Sequence, residues 1–204
     1  MVKVKICGIT RLEDALLAAQ LGADALGFNF WPGSKRYIEP DAARAIIERL
    51  PPFVTAVGLF VNQPPTHVLA TAAQSGVAVV QLHGDEPPQD CNGYPIPVFK
   101  AFRMAGPESL AAIDRYRVQA CLLDAPSAGF GGSGAVFDWA LARQVSARRI
   151  IILAGGLTPE NVAEAVRAVR PWAVDVASGV ETSPGVKDPD KLARFIANSR
   201  KETP

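Results

Sequence analysis

The chain has 204 residues, 49% of them hydrophobic and 20% charged, a balance typical of a soluble globular domain that excludes general disorder. Lys and Arg number 21 against 20 Asp and Glu, a net charge of +1, so no polybasic footprint for nucleic acid or anionic lipid is present. At roughly 150 residues per domain, and with no linker-like stretch, one domain spanning 1–204 is expected.

Short apolar runs alternate with amphipathic ones along the chain. Val2 to Cys7 reads as the first strand. Thr10-Arg11-Leu12-Glu13 then has the pattern of a capping box, and Leu12, Ala15, Leu16 and Ala19 form one helical face, which Gly22 should end. Ala25–Phe30 is strand, and Ala43, Ile46, Ile47 and Leu50 give the next helical stripe. Thr55–Val61 is strand, followed by a helix bearing Leu69, Ala72 and Ala73. Val77–Leu82 is strand, but the Pro-rich stretch from Pro87 to Pro97 is a poor helix candidate. Pro97–Phe102 is strand and Pro107–Tyr116 helix. Gln119–Asp124 is strand, then a Gly-rich loop, then a short helix over Trp139–Gln144. Arg149–Ala154 is strand; Thr158 should cap a helix with Pro159 at its first position and Val162, Ala165, Val166 and Val169 on its face. Ala173–Ala177 is the last strand and Pro189–Ser199 the last helix.

Eight strand–helix units imply parallel pairing with right-handed crossovers. They can close into an α/β single-domain (βα)₈ TIM barrel, eight parallel strands with outer helices. The same alternation also permits an open doubly wound sheet. The first turn, Cys7-Gly8-Ile9-Thr10, lacks the G-x-G-x-x-G expected of that alternative.

A barrel places its active site at the C-terminal strand ends. Strand parity puts Val2, Val4 and Ile6 under the helices, and Lys3, Lys5 and Cys7 inside. Cys7 should therefore face the barrel mouth, where a Lys5 ammonium one layer below would favour thiolate; the alternative is a small buried apolar residue. Asp124 ends an apolar strand, an environment that can raise a carboxyl pKa and suit a general acid; a turn acceptor for the Ala125-Pro126-Ser127 bend is the other reading. Gly155-Gly156 and Ser178-Gly179 follow strands seven and eight, where this fold holds phosphate on backbone amides. Arg36 has the chemistry of a carboxylate clamp, though it also fits a solvated surface. His83 either contacts substrate or bonds the Gly84-Asp85-Glu86 turn. The Gly-rich segment 128–134 beside Asp124 has the composition of a lid.

Three cysteines, Cys7, Cys91 and Cys121, without CxxC spacing fit a reduced cytoplasmic setting. Cys91, in a Pro-rich surface stretch, and Cys121, mid-strand, read as structural. His67 and His83 are the only histidines and show no metal-ligand spacing. No apolar run reaches the roughly 18 residues of a membrane span, and the N-terminus lacks a signal-peptide stretch.

The sequence resembles the phosphoribosylanthranilate isomerases, essentially end to end. The resemblance rests on Lys5-Ile6-Cys7-Gly8-Ile9-Thr10, Ser34-Lys35-Arg36-Tyr37, Gln81-Leu82-His83-Gly84-Asp85-Glu86, Leu123-Asp124, Ala154-Gly155-Gly156-Leu157 and Asp175-Val176-Ala177-Ser178-Gly179-Val180-Glu181. It implies a (βα)₈ barrel acting on N-(5'-phosphoribosyl)anthranilate, a small-molecule phosphoribosyl substrate, with no metal or organic cofactor. It implies Asp124 as general acid at the ribose ring oxygen and Cys7 as general base at C2. It implies phosphate held at Gly155, Gly156, Ser178 and Gly179, anthranilate carboxylate at Arg36, and substrate contact at His83. Two departures are Ala135, where many relatives carry a basic residue, and Ala177, which replaces a common Ser. Two rivals remain: a histidine-pathway isomerase of the same barrel, which an aspartate in place of Cys7 would favour, and a phosphate-ligand binding protein without turnover. The chain is expected to be a monomer or a homodimer.

Overall fold

Alternate residues of a strand face opposite ways, and the first strand shows what that does here. In β1 (Lys3–Cys7) the fully buried Val4 and Ile6 point outward into the layer under the helices. Lys5 and Cys7 point inward. The computed structural model describes residues 1–125 and 138–201. The predicted lid segment 128–134 lies outside the described residues.

Strands β2 (Ala25–Asn29), β3 (Thr55–Phe60), β4 (Val79–Leu82), β5 (Val98–Arg103), β6 (Ala120–Asp124), β7 (Ile151–Leu153) and β8 (Ala173–Val176) follow β1 in sequence order around a closed, all-parallel barrel. The open-sheet alternative fails because β8 pairs with β1, Lys5 standing opposite Asp175. Seven α-helices are described: α1 (Leu12–Gln20), α2 (Pro40–Ile47), α3 (Pro65–Ser75), α4 (Glu108–Ile113), α5 (Trp139–Ser146), α6 (Val162–Val169) and α7 (Pro189–Arg200). No helix among the described residues is long and apolar enough to cross a membrane.

The apolar residues divide by strand parity into three groups. The largest lies between barrel and helices, with Phe28, Phe60, Leu82 and Leu123 of the strands against Ala15, Ile46, Val166 and Phe195 of the helices. The lumen is filled by Val57, Phe99, Leu122 and Ile152 with small Ala residues. A small cluster of Cys7, Leu59 and Val61 lines the mouth. The lumen is therefore packed, and chemistry is confined to its upper rim.

Several local expectations need correction. The Thr10–Glu13 capping box does not form: α1 begins at Leu12, and the Thr10 hydroxyl donates to the Gly185 carbonyl at 2.6 Å. The α3 face is rotated from the expected one. Val68, Thr71, Ala72 and Ser75 are buried, whereas Ala73 is exposed. The buried Ser75 hydroxyl meets its own need by donating to the Thr71 carbonyl at 2.7 Å. Thr158 caps the turn leading into α6 and not α6 itself, its hydroxyl accepting from the Glu160 N–H at 3.2 Å. Asn161 accepts from the Thr158 N–H at 2.8 Å and donates to the Gly156 carbonyl at 2.9 Å, forming a turn that delays the helix to Val162.

Between β4 and β5 there is only a 3₁₀ turn, Pro88–Cys91, as the prolines suggested. Cys91 is buried and not on the surface, because that turn folds onto the core. The segment is fixed by Lys100, buried in the sheet, which donates to the Gly84 carbonyl at 2.7 Å and pairs with Glu86 at 3.1 Å. After β8 the chain makes a 3₁₀ turn, Ser178–Val180. An unforeseen antiparallel hairpin follows, β9 (Glu181–Ser183) and β10 (Val186–Lys187). Asp188 then caps α7, accepting from Asp190 and Lys191 amides at 3.0 Å.

Gly27 stands opposite Cys7 in the register. A Cβ there would lie 2.8 Å from the Cys7 Sγ and 3.2 Å from both the Cys7 Cα and the Lys5 Nζ. Gly27→Ala is expected to displace the thiol and destabilise the fold by about 1–3 kcal/mol, the usual cost of overpacking. Urea unfolding monitored by circular dichroism, with iodoacetamide labelling of Cys7, measures both effects.

Candidate active site

The eight predicted site residues arrive from six strand ends, those of β1, β2, β4, β6, β7 and β8, and one pocket gathers all of them. Cys7, Arg36, His83, Asp124, Gly155, Gly156, Ser178 and Gly179 line it together with Gln81, Asp175 and Ala177. A second, mostly apolar cavity lies at the opposite barrel end, among Thr55, Phe99, Ile152 and Trp172, away from these groups.

Cys7 is buried at the end of β1. Lys5 lies one layer beneath and pairs with Asp175 at 2.7 Å, with side-chain exposures of 4% and 9%. Burial opposes the Lys5 charge, but Asp175 and then Cys7 hold its pKa above the ordinary lysine value. Burial is also the main influence on Cys7 and pushes its thiol up. Lys5 offsets this in part, Asp175 adds to the rise, and Lys187 again opposes it. The expectation that Lys5 alone would tip Cys7 toward thiolate is therefore corrected. Desolvation wins, and the ammonium limits the rise.

The hairpin residues that brace Cys7 carried no expected role. Lys187, fully buried, donates to the Cys7 carbonyl at 2.5 Å and pairs with Glu181 at 2.8 Å. Its own amide donates to the buried Asp14 of α1 at 3.0 Å. Burial lowers the Lys187 pKa, with Glu181 opposing the shift. Glu181 also receives Arg36, whose Nε donates at 2.9 and 3.1 Å and whose Nη2 donates at 2.6 Å. These hydrogen bonds raise the Arg36 pKa against the effect of burial. Burial would raise Glu181, but Arg36 and Lys187 hold it below its ordinary value. Arg36 is thus not a solvated surface residue. One edge of its guanidinium is fixed by Glu181 while the residue lines the pocket. The missed signal was parity: charged residues interrupting apolar strand ends, as Asp175 does, mark the lumen.

Asp124 ends β6 with its carboxylate largely buried. Oδ1 accepts from the Ala125 amide at 2.9 Å, so the turn-acceptor reading is realised. Oδ2 lies 3.3 Å from His83 Nε2, so the same carboxylate also faces the pocket. His83 does not bond the Gly84-Asp85-Glu86 turn through its ring. The Glu86 carboxylate does that, accepting from the Gly84 amide at 2.9 Å and the Asn62 amide at 2.8 Å. The other His83 nitrogen, Nδ1, meets the Gln81 amide at 2.7 Å.

The two glycine turns lock together. Gly155 and Gly156 have φ of 76° and 64°, a left-handed backbone that favours glycine. A Cβ on Gly155 would sit 2.3 Å from the Ala125 nitrogen, and one on Gly179 would sit 2.0 Å from the Leu157 carbonyl oxygen. Among the described residues, the N–H groups of Gly155, Gly156, Ser178 and Gly179 meet no backbone acceptor. Four free amides on converging turns have the chemistry of an oxyanion cradle. No group of three or more His, Cys, Asp or Glu able to hold a metal occurs among the described residues.

With this geometry in place, comparison with known proteins is decisive. The family model for N-(5'phosphoribosyl)anthranilate (PRA) isomerase matches residues 4–198. The chain belongs to the N-(5'-phosphoribosyl)anthranilate isomerase family. It is 56% identical over 202 residues to the isomerase of Geobacter sp. (strain M21), covering 98% of this chain and 99% of that one. The crystal structure from Thermotoga maritima matches with a TM-score of 0.94 at 49% identity, over 98% and 99% of the two chains. That protein is described as dimeric in a further structure of its generated monomers, which matches with a TM-score of 0.89 at 45% identity over 98% and 99%. An isomerase in complex with reduced 1-(o-carboxyphenylamino)-1-deoxyribulose 5-phosphate matches with a TM-score of 0.90 at 47% identity, over 98% and 99%. The activity of the chain is accordingly the aldose–ketose isomerisation of N-(5'-phosphoribosyl)anthranilate in tryptophan biosynthesis.

The electrostatic account of Cys7 is open to direct measurement. Lys5→Met removes the nearest cation and leaves Asp175 unpaired, so the thiol becomes less acidic. The pH midpoint of Cys7 alkylation, followed by peptide mass spectrometry, is expected to move upward from that of the parent chain.

Proposed function

We propose that Cys7 and Asp124 perform this isomerisation as a base and acid pair in one pocket. The observation that carries the assignment is their convergence there with Arg36 and the four free amides. The substrate's phosphate would rest on Gly155, Gly156, Ser178 and Gly179, and its anthranilate carboxylate against Arg36. His83 lines the same pocket beside the acid. Two anionic anchors fix the ribose between them, so binding energy at the ends can be used at the reacting carbons.

The chemistry needs no electrons from outside. Asp124 gives its proton to the ribose ring oxygen, the C1–O bond breaks, and the anthranilate nitrogen supplies the pair that forms the C1=N⁺ Schiff base. The Cys7 thiolate takes the C2 proton, and the C2–H electrons form the C1=C2 bond while the nitrogen regains its pair. The resulting enolamine tautomerises to the ketone, giving 1-(o-carboxyphenylamino)-1-deoxyribulose 5-phosphate. Lys5 below and Lys187 behind the turn support the negative charge on sulfur while it waits. A reaction that begins by protonating one atom and ends by deprotonating another suits an acid and a base on separate strands.

We further infer a homodimer, formed through the N-terminal barrel face. Phe53 is 94% exposed there, with Trp172 at 56% and Ile150 at 51%, around the apolar cavity they line. A protruding aromatic next to an apolar recess suits a two-fold, self-complementary contact, and a dimer is described for the Thermotoga maritima relative. Three buried, unpaired cysteines suit the reducing cytoplasm, where we place the chain.

Cys7→Ser and Asp124→Asn should each reduce kcat by about 10²–10⁴-fold, the usual contribution of a positioned acid or base. Binding of reduced 1-(o-carboxyphenylamino)-1-deoxyribulose 5-phosphate, measured by calorimetry, should persist in both. Full turnover in Cys7→Ser would remove the base assignment, and a mere binding protein would show no turnover in the parent chain. Phe53→Asp should convert the dimer to monomer in sedimentation velocity with kcat retained. A monomeric parent chain at tens of micromolar, roughly the range where specific dimers persist, rejects the dimer.

A further inference from the structure

Gln81 on β4 and His83, one residue past the strand's end, are two residues apart, so both face the lumen, with Gln81 fully buried one layer beneath the imidazole. The Gln81 amide nitrogen lies 2.7 Å from His83 Nδ1, and His83 Nε2 lies 3.3 Å from Asp124 Oδ2. An amide nitrogen can only donate. Nδ1 is therefore the acceptor, and a neutral ring carries its single proton on Nε2, aimed at the Asp124 carboxylate. The strand neighbours of Gln81 in the register are Leu59 and Phe99, both apolar. Among the described residues its Oε1 has no partner although it is buried. An orphaned buried acceptor costs about 1–3 kcal/mol, and an apolar side chain of the same length would avoid that cost. Fold stability does not explain a glutamine here; the contact with His83 does.

We propose that Gln81 is a positioning residue that fixes His83 as the neutral Nε2–H tautomer, so that His83 donates to the carboxylate Asp124 becomes on protonating the substrate. This rests on the assignment of Asp124 as the acid. The donated bond is strongest once Asp124 is charged, so it favours proton delivery over the resting state. A proton on Nδ1 would face the amide hydrogens of Gln81, so the contact selects the Nε2–H tautomer of the neutral ring.

The composition makes the test clean, because His67 and His83 are the only histidines. His67 sits exposed on α3, so His67→Gln leaves one imidazole to observe. Nitrogen-15 NMR of that chain, labelled in histidine and held at about pH 8, above the ordinary histidine range, should show a protonated Nε2 and a bare Nδ1. Gln81→Glu replaces the donor by an acceptor and should move the proton to Nδ1. In that variant kcat should fall roughly tenfold or more with KM near the parent value, the signature of an interaction made in the transition state. Gln81→Met, which retains the volume without the amide, should give mixed tautomers and a smaller loss of kcat.

A proton on Nδ1 in the parent chain, or an unchanged tautomer in Gln81→Glu, would overturn the proposal. So would a moved proton with unchanged kcat, or a loss carried by KM alone. If Gln81→Glu does not fold, Gln81→Met decides, and a pure Nε2–H ring with parental kcat there refutes tautomer control. A fully active Asp124→Asn would instead overturn the acid assignment while leaving the tautomer result standing, so the two failures are distinguishable.

Discussion

The buried pair of Lys5 and Asp175 is the constraint around which the molecule is organised. It joins the first strand to the last, at the register position where the barrel closes. A buried ion pair is weak evidence for net stability, since desolvation consumes most of the attraction. Its value here is positional. Removing one partner leaves the other uncompensated, so the pair enforces one closure register and no other. That register sets Cys7 two residues further along, at the rim, with a cation fixed one layer below its sulfur.

Space near this pair is provided by absent side chains. Gly27 leaves room for both the thiol and the ammonium, and Gly155 and Gly179 let two turns approach until backbone meets backbone. The charges that remain are paired: Lys187 and Arg36 share the single carboxylate of Glu181, Lys100 meets Glu86, and Lys5 meets Asp175. The shared carboxylate leaves one positive charge over beside the pocket. An anion held in the proposed way would rest on directed amides and one guanidinium edge more than on bulk positive potential, in keeping with the +1 charge of the whole chain.

Much of this was legible from the residues. Period-two alternation in Val2–Cys7 placed Cys7 and Lys5 on the inner face, and eight strands alternating with mostly helical segments pointed to a barrel while still permitting an open sheet, which the pairing of β8 with β1 excludes. The prolines after His83 correctly argued against a helix. What escaped was long-range. The hydroxyl of Thr10 could cap a helix or meet the hairpin, and only the fold brings Gly185 within its reach. The pKa of Cys7 depends on burial, which parity can suggest but not weigh against a nearby charge. The Glu181–Lys187 brace is six residues long in sequence, yet its targets, Arg36 and the Cys7 carbonyl, are 145 and 180 residues away. His83 looked like a turn residue because its true partners, Gln81 aside, come from another strand.

Those separations carry a kinetic meaning. Lys5 meets Asp175 across 170 residues, Lys187 meets Cys7 across 180, and Arg200 reaches the Gly22 carbonyl across 178. During synthesis the first strand leaves the ribosome long before any of its closing partners, at about 5–20 residues per second. For some tens of seconds at the slower rate it has a paired β2 but no β8, and its lysine is without its counter-charge. Ring closure, with its large loop entropy, therefore comes late. The Cys7 thiol acquires its buried environment only in that final step, so a partly made chain carries an ordinary cysteine there.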